Sequence, residues 1–358
     1  MFKNLKVIEL ASVLAGPAVG MFFAELGAKV IKIENKTTKG DVTRSWKLPT
    51  EDKNASISAY YCSVNWNKES LFLDLRNTED KQKVYDLMQD ADIVIANFKH
   101  GDAEKLGMNY EVIKTFQPNI IYGEITAFGK NEKRLGFDVV LQAEAGFMFM
   151  NGEAKGNIVK MPVALIDILT AHQLKEAILL ALLKRQTTGK GSYVSVSLME
   201  TAIASLANQA TNWLMGGHIP QRMGTAHPNI APYGDIFQTS DEKLLVLAVG
   251  NDKQFARMCE TLEQNKLATD KRFANNSLRV KNRVILQAIL APIFANYQRD
   301  KVLKLLTEKG VPAAAIRNMQ EVFEQKIAQN MVLTQTFSNG TETKCVKTIA
   351  FDTHFLDL

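Results

Sequence analysis

The stretch Leu5–Glu34, LKVIELASVLAGPAVGMFFAELGAKVIKIE, carries the information from which the rest of the chain can be read. Leu5–Leu10 has the apolar and β-branched content of a strand. Ala15-Gly16-Pro17 reads as a turn, and Pro17–Leu26 as a helix. Pro17 is expected at the first helical position, where its missing N–H costs nothing, and Gly27 is expected as the stop. Lys29–Glu34 (KVIKIE) is a second strand. Strand, helix and strand within roughly thirty residues make a βαβ unit, whose right-handed crossover implies a parallel pair.

The same alternation continues downstream. Ser70–Leu75, Ile93–Asn97 and Asn119–Glu124 read as strands, with helices over Thr78–Asp90 and Tyr110–Phe116. This pattern predicts an α/β fold, a large Rossmann-like domain around a parallel sheet. A long helix is expected from Asp167 to about Gln186; it is apolar nearly all round at Leu174–Leu183 and is therefore expected to be buried. Thr187–Ser192 (TTGKGS) turns into a strand at Tyr193–Val196, and a helix follows over Leu198–Met215. Composition shifts at Gly216-Gly217 and through the loop-rich Arg222–Gly234. A strand at Leu244–Val249 and helices at Lys253–Glu263, Arg279–Asn296 and Lys301–Lys309 predict a smaller α/β domain. The boundaries expected are 1–215 for the large domain and 216–322 for the small one with its linkers.

A chain of 358 residues is long for a single core, which agrees with two domains. Apolar residues make up 46% and charged residues 23%, the balance of a globular protein, and the formal charge is +5. That excess suits an acidic small molecule, and no basic run resembles a nucleic-acid tail. The three cysteines, Cys62, Cys259 and Cys345, are far apart and form no CxxC, so reduced thiols and a cytoplasmic setting are expected. Glu9 interrupts the apolar stretch that could pass for a signal peptide, and no uncharged apolar run of about 18 residues predicts a membrane span. The five histidines show no metal-ligand spacing, so no metal is expected.

The first βαβ unit invites a dinucleotide reading. Its turn, Ala15-Gly16-Pro17-Ala18-Val19-Gly20, lacks the G-x-G-x-x-G spacing, and Gly189-Lys190-Gly191 opens a strand instead of a helix. No G-x-S-x-G elbow and no P-loop is present. Asp167 stands directly after Pro162–Ile166 (PVALI) and before the long helix, where an N-cap is expected. A carboxylate there is either a plain helix cap or a nucleophile kept ionised by the helix N-terminus. Position does not separate the two.

Seven segments together resemble the class III CoA-transferases, the family of the formyl-CoA and carnitine CoA-transferases and of the 2-methylacyl-CoA racemases. They are Val7–Arg44, Asn65–Leu75 (NWNKESLFLDL), Ala91–Gly107 (ADIVIANFKHGDAEKLG), Gly136–Gly146 (GFDVVLQAEAG), Thr188–Met199 (TGKGSYVSVSLM), His227–Gly234 (HPNIAPYG) and Gly310–Ala313 (GVPA). The resemblance implies an interlocked homodimer and a C-terminal segment, 323–358, that returns to the large domain. Relatives usually continue past the point matching Phe351 with a proline-rich tail, a departure that bears on how subunits wrap.

By resemblance, Asp167 is the nucleophile of an acyl-CoA:carboxylate CoA-transferase, acting through an aspartyl anhydride and an aspartyl-CoA thioester. Coenzyme A is then a co-substrate, an acyl-CoA and a carboxylic acid are the partners, and no permanently bound cofactor is expected. The resemblance implies CoA contacts for the backbone of Val13, Leu14 and Ala15 and for Asn65, Lys68, Lys105 and Leu198. Where the family often carries an arginine this chain has Asn35, so either that contact is lost or the adjacent Lys36 replaces it. A racemase is the alternative within the family, but its catalytic histidine aligns with Phe137, which carries no proton. A CoA-binding protein without catalysis is the third reading. The single glycine of Ala248–Gln254 (AVGNDKQ) argues against a long glycine-rich gating loop.

Overall fold

The computed structural model describes residues 2–337 and 340–356. Strands β1 (Lys6–Leu10), β2 (Lys29–Asn35), β3 (Glu69–Leu73), β4 (Ile93–Ala96), β5 (Ile121–Thr126) and β6 (Ser192–Ser197) form one sheet. Its spatial order is β3-β2-β1-β4-β5-β6, and every pair is parallel. Alternate side chains go to opposite faces. Val7, Ile93 and Ile121 pack with Val19 and Phe23 of the first helix (Ala15–Glu25) and with Leu174 and Ile178 of the long helix (Leu165–Thr188). Ile8, Ile31 and Val94 meet Val84 and Met88 of the helix Thr78–Met88 on the other face. A parallel sheet covered on both sides gives near-continuous apolar strands, which is why these strands are readable in the sequence.

Both packed helices sit unusually close to the sheet. A Cβ on Gly20 would stand 1.9 Å from Glu9 Oε2, so only glycine lets the first helix rest on that buried carboxylate. A Cβ on Gly123 of β5 would stand 3.0 Å from Ile178 Cδ1 and 3.2 Å from Leu174 Cδ1 of the long helix.

Three local expectations are corrected. The first helix begins at Ala15, so Pro17 is its third residue; it still lies among the leading positions whose N–H groups have no partner inside the helix. The long helix is not buried all round, since Leu180 and Leu183 are 67% and 59% exposed. The helix expected over Leu198–Met215 is two, Leu198–Ala204 and Ala207–Gly216, broken at Ala207 with φ 47°.

The chain divides into two compact units. One comprises the chain up to Phe147, Lys160–Ile219 and the chain from Asn330; the other comprises Met148–Val159 and Pro220–Gln329. No compositional break marks Met148–Val159 as leaving the large unit. The second unit is built on an antiparallel sheet, β7 (Tyr233–Gln238), β8 (Leu244–Ala248) and β9 (Ala313–Ala315), in that order. Phe237, Leu245 and Leu247 pack there against Met258, Leu290 and Phe294. Ala248–Gln254 runs from β8 straight into the helix Asp252–Thr261, capped by Asn251, whose side chain accepts the Gln254 N–H at 3.0 Å. The hairpin β10 (Val332–Thr336) and β11 (Glu342–Val346) belongs to the first unit. There the indole of Trp66 donates to the Thr334 carbonyl at 3.3 Å, and Glu25 accepts the Thr348 N–H at 2.8 Å.

Candidate active site

Strand order reverses between β1 and β4, and in open α/β sheets ligands bind beyond the carboxyl ends of the strands at that point. Ser12 and Asn97 bridge it: Ser12 N–H donates to Asn97 Oδ1 at 3.0 Å, and Asn97 Nδ2 donates to the Ser12 carbonyl at 2.8 Å. A cavity of about 750 Å³ opens here, and its wall brings together Val13, Leu14, Ala15, Phe137, Asp167 and Leu198. An adjoining cavity of about 1100 Å³ shares Ser12, Val42, Asn97, Phe98 and Lys99 with it. The second cavity carries the basic side chains of Lys39, Arg76 and Lys105.

Asp167 is the third residue of the long helix, not its N-cap; that position is held by Ala164, which offers no capping side chain. The capping is done from outside. Asp138, first residue of the helix Asp138–Glu144, accepts the Ile166 N–H through Oδ1 at 2.7 Å and the Asp167 N–H at 3.4 Å. Its Oδ2 accepts from Gln142 Nε2 at 2.5 Å, and Gln142 Oε1 accepts the Met161 N–H at 2.8 Å, so the entry to the long helix is held from both sides. Asp167 is left 9% exposed, and its carboxylate accepts no hydrogen bond among the described residues. Burial, and then the neighbouring charge of Asp138, push its pKa up to about 7. Asp167 is thus held less readily ionised than an ordinary aspartate, by its burial and by Asp138.

Lys68 and Asn65, expected near the CoA, face the interior. Lys68 Nζ donates to Glu9 Oε2 at 2.7 Å, to the Pro17 carbonyl at 2.8 Å and to Asn65 Oδ1 at 3.0 Å, and its side chain is fully buried. Asn65 Nδ2 donates to the Tyr61 carbonyl at 2.8 Å. The physical reason is Glu9, which stands in register with Lys32 on the adjacent strand and takes Lys32 at 2.8 Å and Lys68 together. Burial draws the pKa of Lys68 down to about 8, against the pull of Glu9. Lys36 is exposed in the short turn Lys36–Thr38, which Asn35 caps by accepting the Thr37 N–H at 2.9 Å. Lys39, not Lys36, lines the second cavity. Lys105 does line it, loosely paired with Asp102 at 3.5 Å. No local sequence pattern marks Lys39, Arg76 or Asp138 for this cleft.

No group of three or more His, Cys, Asp or Glu that could hold a metal occurs among the described residues, and no described helix is long and apolar enough to cross a membrane.

The chain as a whole has close counterparts among known proteins. The model of CoA-transferase family III matches residues 2–356. An acyl-CoA transferase of Fusarium pseudograminearum is 40% identical over 340 residues, covering 92% of this chain and 74% of that protein. A succinate–glutarate CoA-transferase of Agrobacterium fabrum is 38% identical over 326 residues, covering 89% of this chain and 81% of its own. Among solved structures, a CAIB/BAIF family protein from Brucella suis matches with a TM-score of 0.86 at 39% identity, over 98% of this chain and 92% of that one. The chain belongs to CoA-transferase family III and is an enzyme of that class, a CoA-transferase.

Proposed function

We propose that this enzyme moves CoA from an acyl-CoA to a free carboxylic acid through covalent intermediates on Asp167. The observation that carries the reading is the unpartnered Asp167 carboxylate in a cleft continuous with a basic annex. The carboxylate attacks the thioester carbonyl, and the C–S bond breaks to give an aspartyl–acyl anhydride and CoA thiolate. The thiolate then attacks the aspartyl carbonyl and expels the first acid, leaving an aspartyl-CoA thioester. The acceptor carboxylate opens this thioester to a second anhydride, and the thiolate attacks the acceptor's acyl carbon, freeing Asp167. Dividing one exchange into such steps is the gain of covalent catalysis. A carboxylate with its pKa near 7 is more basic than an ordinary one, and acylation removes its charge beside Asp138.

The backbone of Val13–Ala15 and the side chain of Leu198 would follow the pantetheine arm. Lys39, Arg76 and Lys105 suit the phosphates of the nucleotide end as mobile or forked cations. The racemase alternative finds Phe137 where it needs a base, with the ring at the wall of the Asp167 cavity. The name of the Agrobacterium relative makes short dicarboxylic acids the acids to try first. Incubation with succinyl-CoA and labelled glutarate, read by mass spectrometry, should yield glutaryl-CoA without deuterium wash-in at the α-carbon. Wash-in without transfer would select the racemase, and CoA binding with neither would leave a binding protein.

A homodimer is proposed as the working form. Leu180 and Leu183 on the long helix, and Leu214 and Met215 at 78% and 86% exposure, present apolar surface typical of an interface. Sedimentation at low micromolar concentration should show no folded monomer; a folded monomer there contradicts it.

A further inference from the structure

Val13 wraps the turn between β1 and the first helix with φ 73°, a conformation that a β-branched residue strongly disfavours. Something must hold it there. Its N–H donates to Asp41, at 3.1 Å from Oδ2 and 3.4 Å from Oδ1. Asp41 is 6% exposed and is fixed in its turn: it accepts the Thr43 N–H at 3.0 Å and the Thr43 hydroxyl at 2.8 Å, and pairs with Lys32 Nζ at 3.1 Å.

The grip extends over the whole turn. Lys32 Nζ donates to the Ala11 carbonyl at 2.7 Å, ahead of Val13. Lys68 Nζ donates to the Pro17 carbonyl at 2.8 Å, behind it. Both lysines meet on Glu9, so a single buried ion network holds the turn at its entry, middle and exit. Burial opposes the charge on Lys32, but Glu9 and Asp41 overcome it and raise its pKa. A network of this kind is rigid because each of its charges is held in place by the others.

We infer that Asp41 is a positioning residue for CoA transfer: it holds Val13 in the left-handed conformation that sets the Val13–Ala15 backbone opposite Asp167. Asp41 lines the second cavity but not the Asp167 cavity, which it reaches through Val13. The inference rests on the reading of that cavity as the place of transfer.

The test is a double-mutant cycle of Asp41→Ala and Val13→Gly, since glycine takes a positive φ without steric cost. Asp41→Ala should lower kcat/KM for succinyl-CoA by about tenfold or more, and in the Val13→Gly background the same change should cost only about two- to threefold, as expected for residues coupled through one backbone. Equal penalties in both backgrounds would show that Asp41 serves bulk stability alone and would overturn the inference, as would an Asp41→Ala enzyme that keeps nearly all its activity. If Asp41→Ala does not fold, Asp41→Asn enters the same cycle, keeping the volume and one acceptor oxygen while losing the charge that faces Lys32. If the wild type binds CoA but transfers none, the transfer reading has failed, and amide hydrogen exchange of the peptide spanning Ala11–Pro17 decides the point. Faster exchange of the Val13 amide in the Asp41 variant, with the rest of the sheet unchanged, supports the anchor; unchanged exchange overturns it.

Discussion

Asp138 caps the helix that carries Asp167: one oxygen of Asp138 accepts the backbone N–H groups of both Ile166 and Asp167, at 2.7 and 3.4 Å. The cap therefore comes from a side chain 29 positions earlier, and the carboxylate of Asp167 stays free to face the cavity. A second anion is held beside it, and together with burial this raises its pKa to about 7.

The first consequence is a pH dependence. Only the ionised form of Asp167 is a nucleophile, so kcat/KM for acyl-CoA should rise with pH and level off above about 7. Asp138→Asn keeps an acceptor for the Ile166 N–H but removes the charge. Its inflection should move to lower pH, while burial still holds it above the ordinary carboxylate range. A pH–rate profile at constant ionic strength checks this; an inflection that does not move would remove Asp138 from the electrostatics of the site.

Stability should respond to the same shift with a definite sign. The folded pKa of Asp167 lies well above that of an ordinary aspartate, so the folded state binds the extra proton between about pH 4 and 7. The stability this supplies is complete below the unfolded pKa and is lost as pH rises through 7. Asp167→Asn, which cannot ionise, should then melt higher than the wild type at about pH 8, by an increment of order 2–4 kcal/mol, and show no such advantage at low pH. Thermal melts at both ends of the range test it. Equal melting temperatures at high pH would mean that the carboxylate is not held at a cost.

Lys68 and Lys105 should behave as opposites. Removing Lys68 with Lys68→Met leaves Glu9 short of a buried partner, and the loss of stability should be about 3–5 kcal/mol. Lys105→Ala, at an exposed position of the second cavity, should leave the melting temperature unchanged, weaken CoA binding and reduce its salt sensitivity. Calorimetric titration with CoA alongside thermal melts separates the two. A Lys68 variant of normal stability and weakened CoA binding would restore it as a phosphate contact.

How far the chain could be read in advance follows from its physics. The large sheet was legible because strands covered on both faces carry continuous apolar runs such as Ile93–Ala96. Strand β7 (YGDIFQ) was not, because it is half exposed and mixes glycine and aspartate with its apolar residues. Asp167 could be placed near a helix start, but its distance from the true cap depended on Asp138, which no local spacing reveals. The burial of Lys68 was equally hidden, since its partner Glu9 is 59 positions away and meets it only once the sheet is formed. Lys36 was a candidate to replace an arginine, whereas the turn capped by Asn35 leaves Lys36 exposed and sets Lys39 in the cavity wall.

The central claim is that Asp167 becomes covalently acylated during CoA transfer. Incubation of the enzyme with succinyl-CoA, followed by hydroxylamine and peptide mass spectrometry, reads it directly, because an aspartyl thioester or anhydride is trapped while an ordinary aspartate is inert. The account predicts a hydroxamate on Asp167 alone, its absence without acyl-CoA, and loss of transfer by several orders of magnitude in Asp167→Ala, the scale on which removal of a catalytic nucleophile acts. An unmodified Asp167 peptide, together with an Asp167→Ala enzyme that keeps more than about a tenth of wild-type transfer, would contradict it.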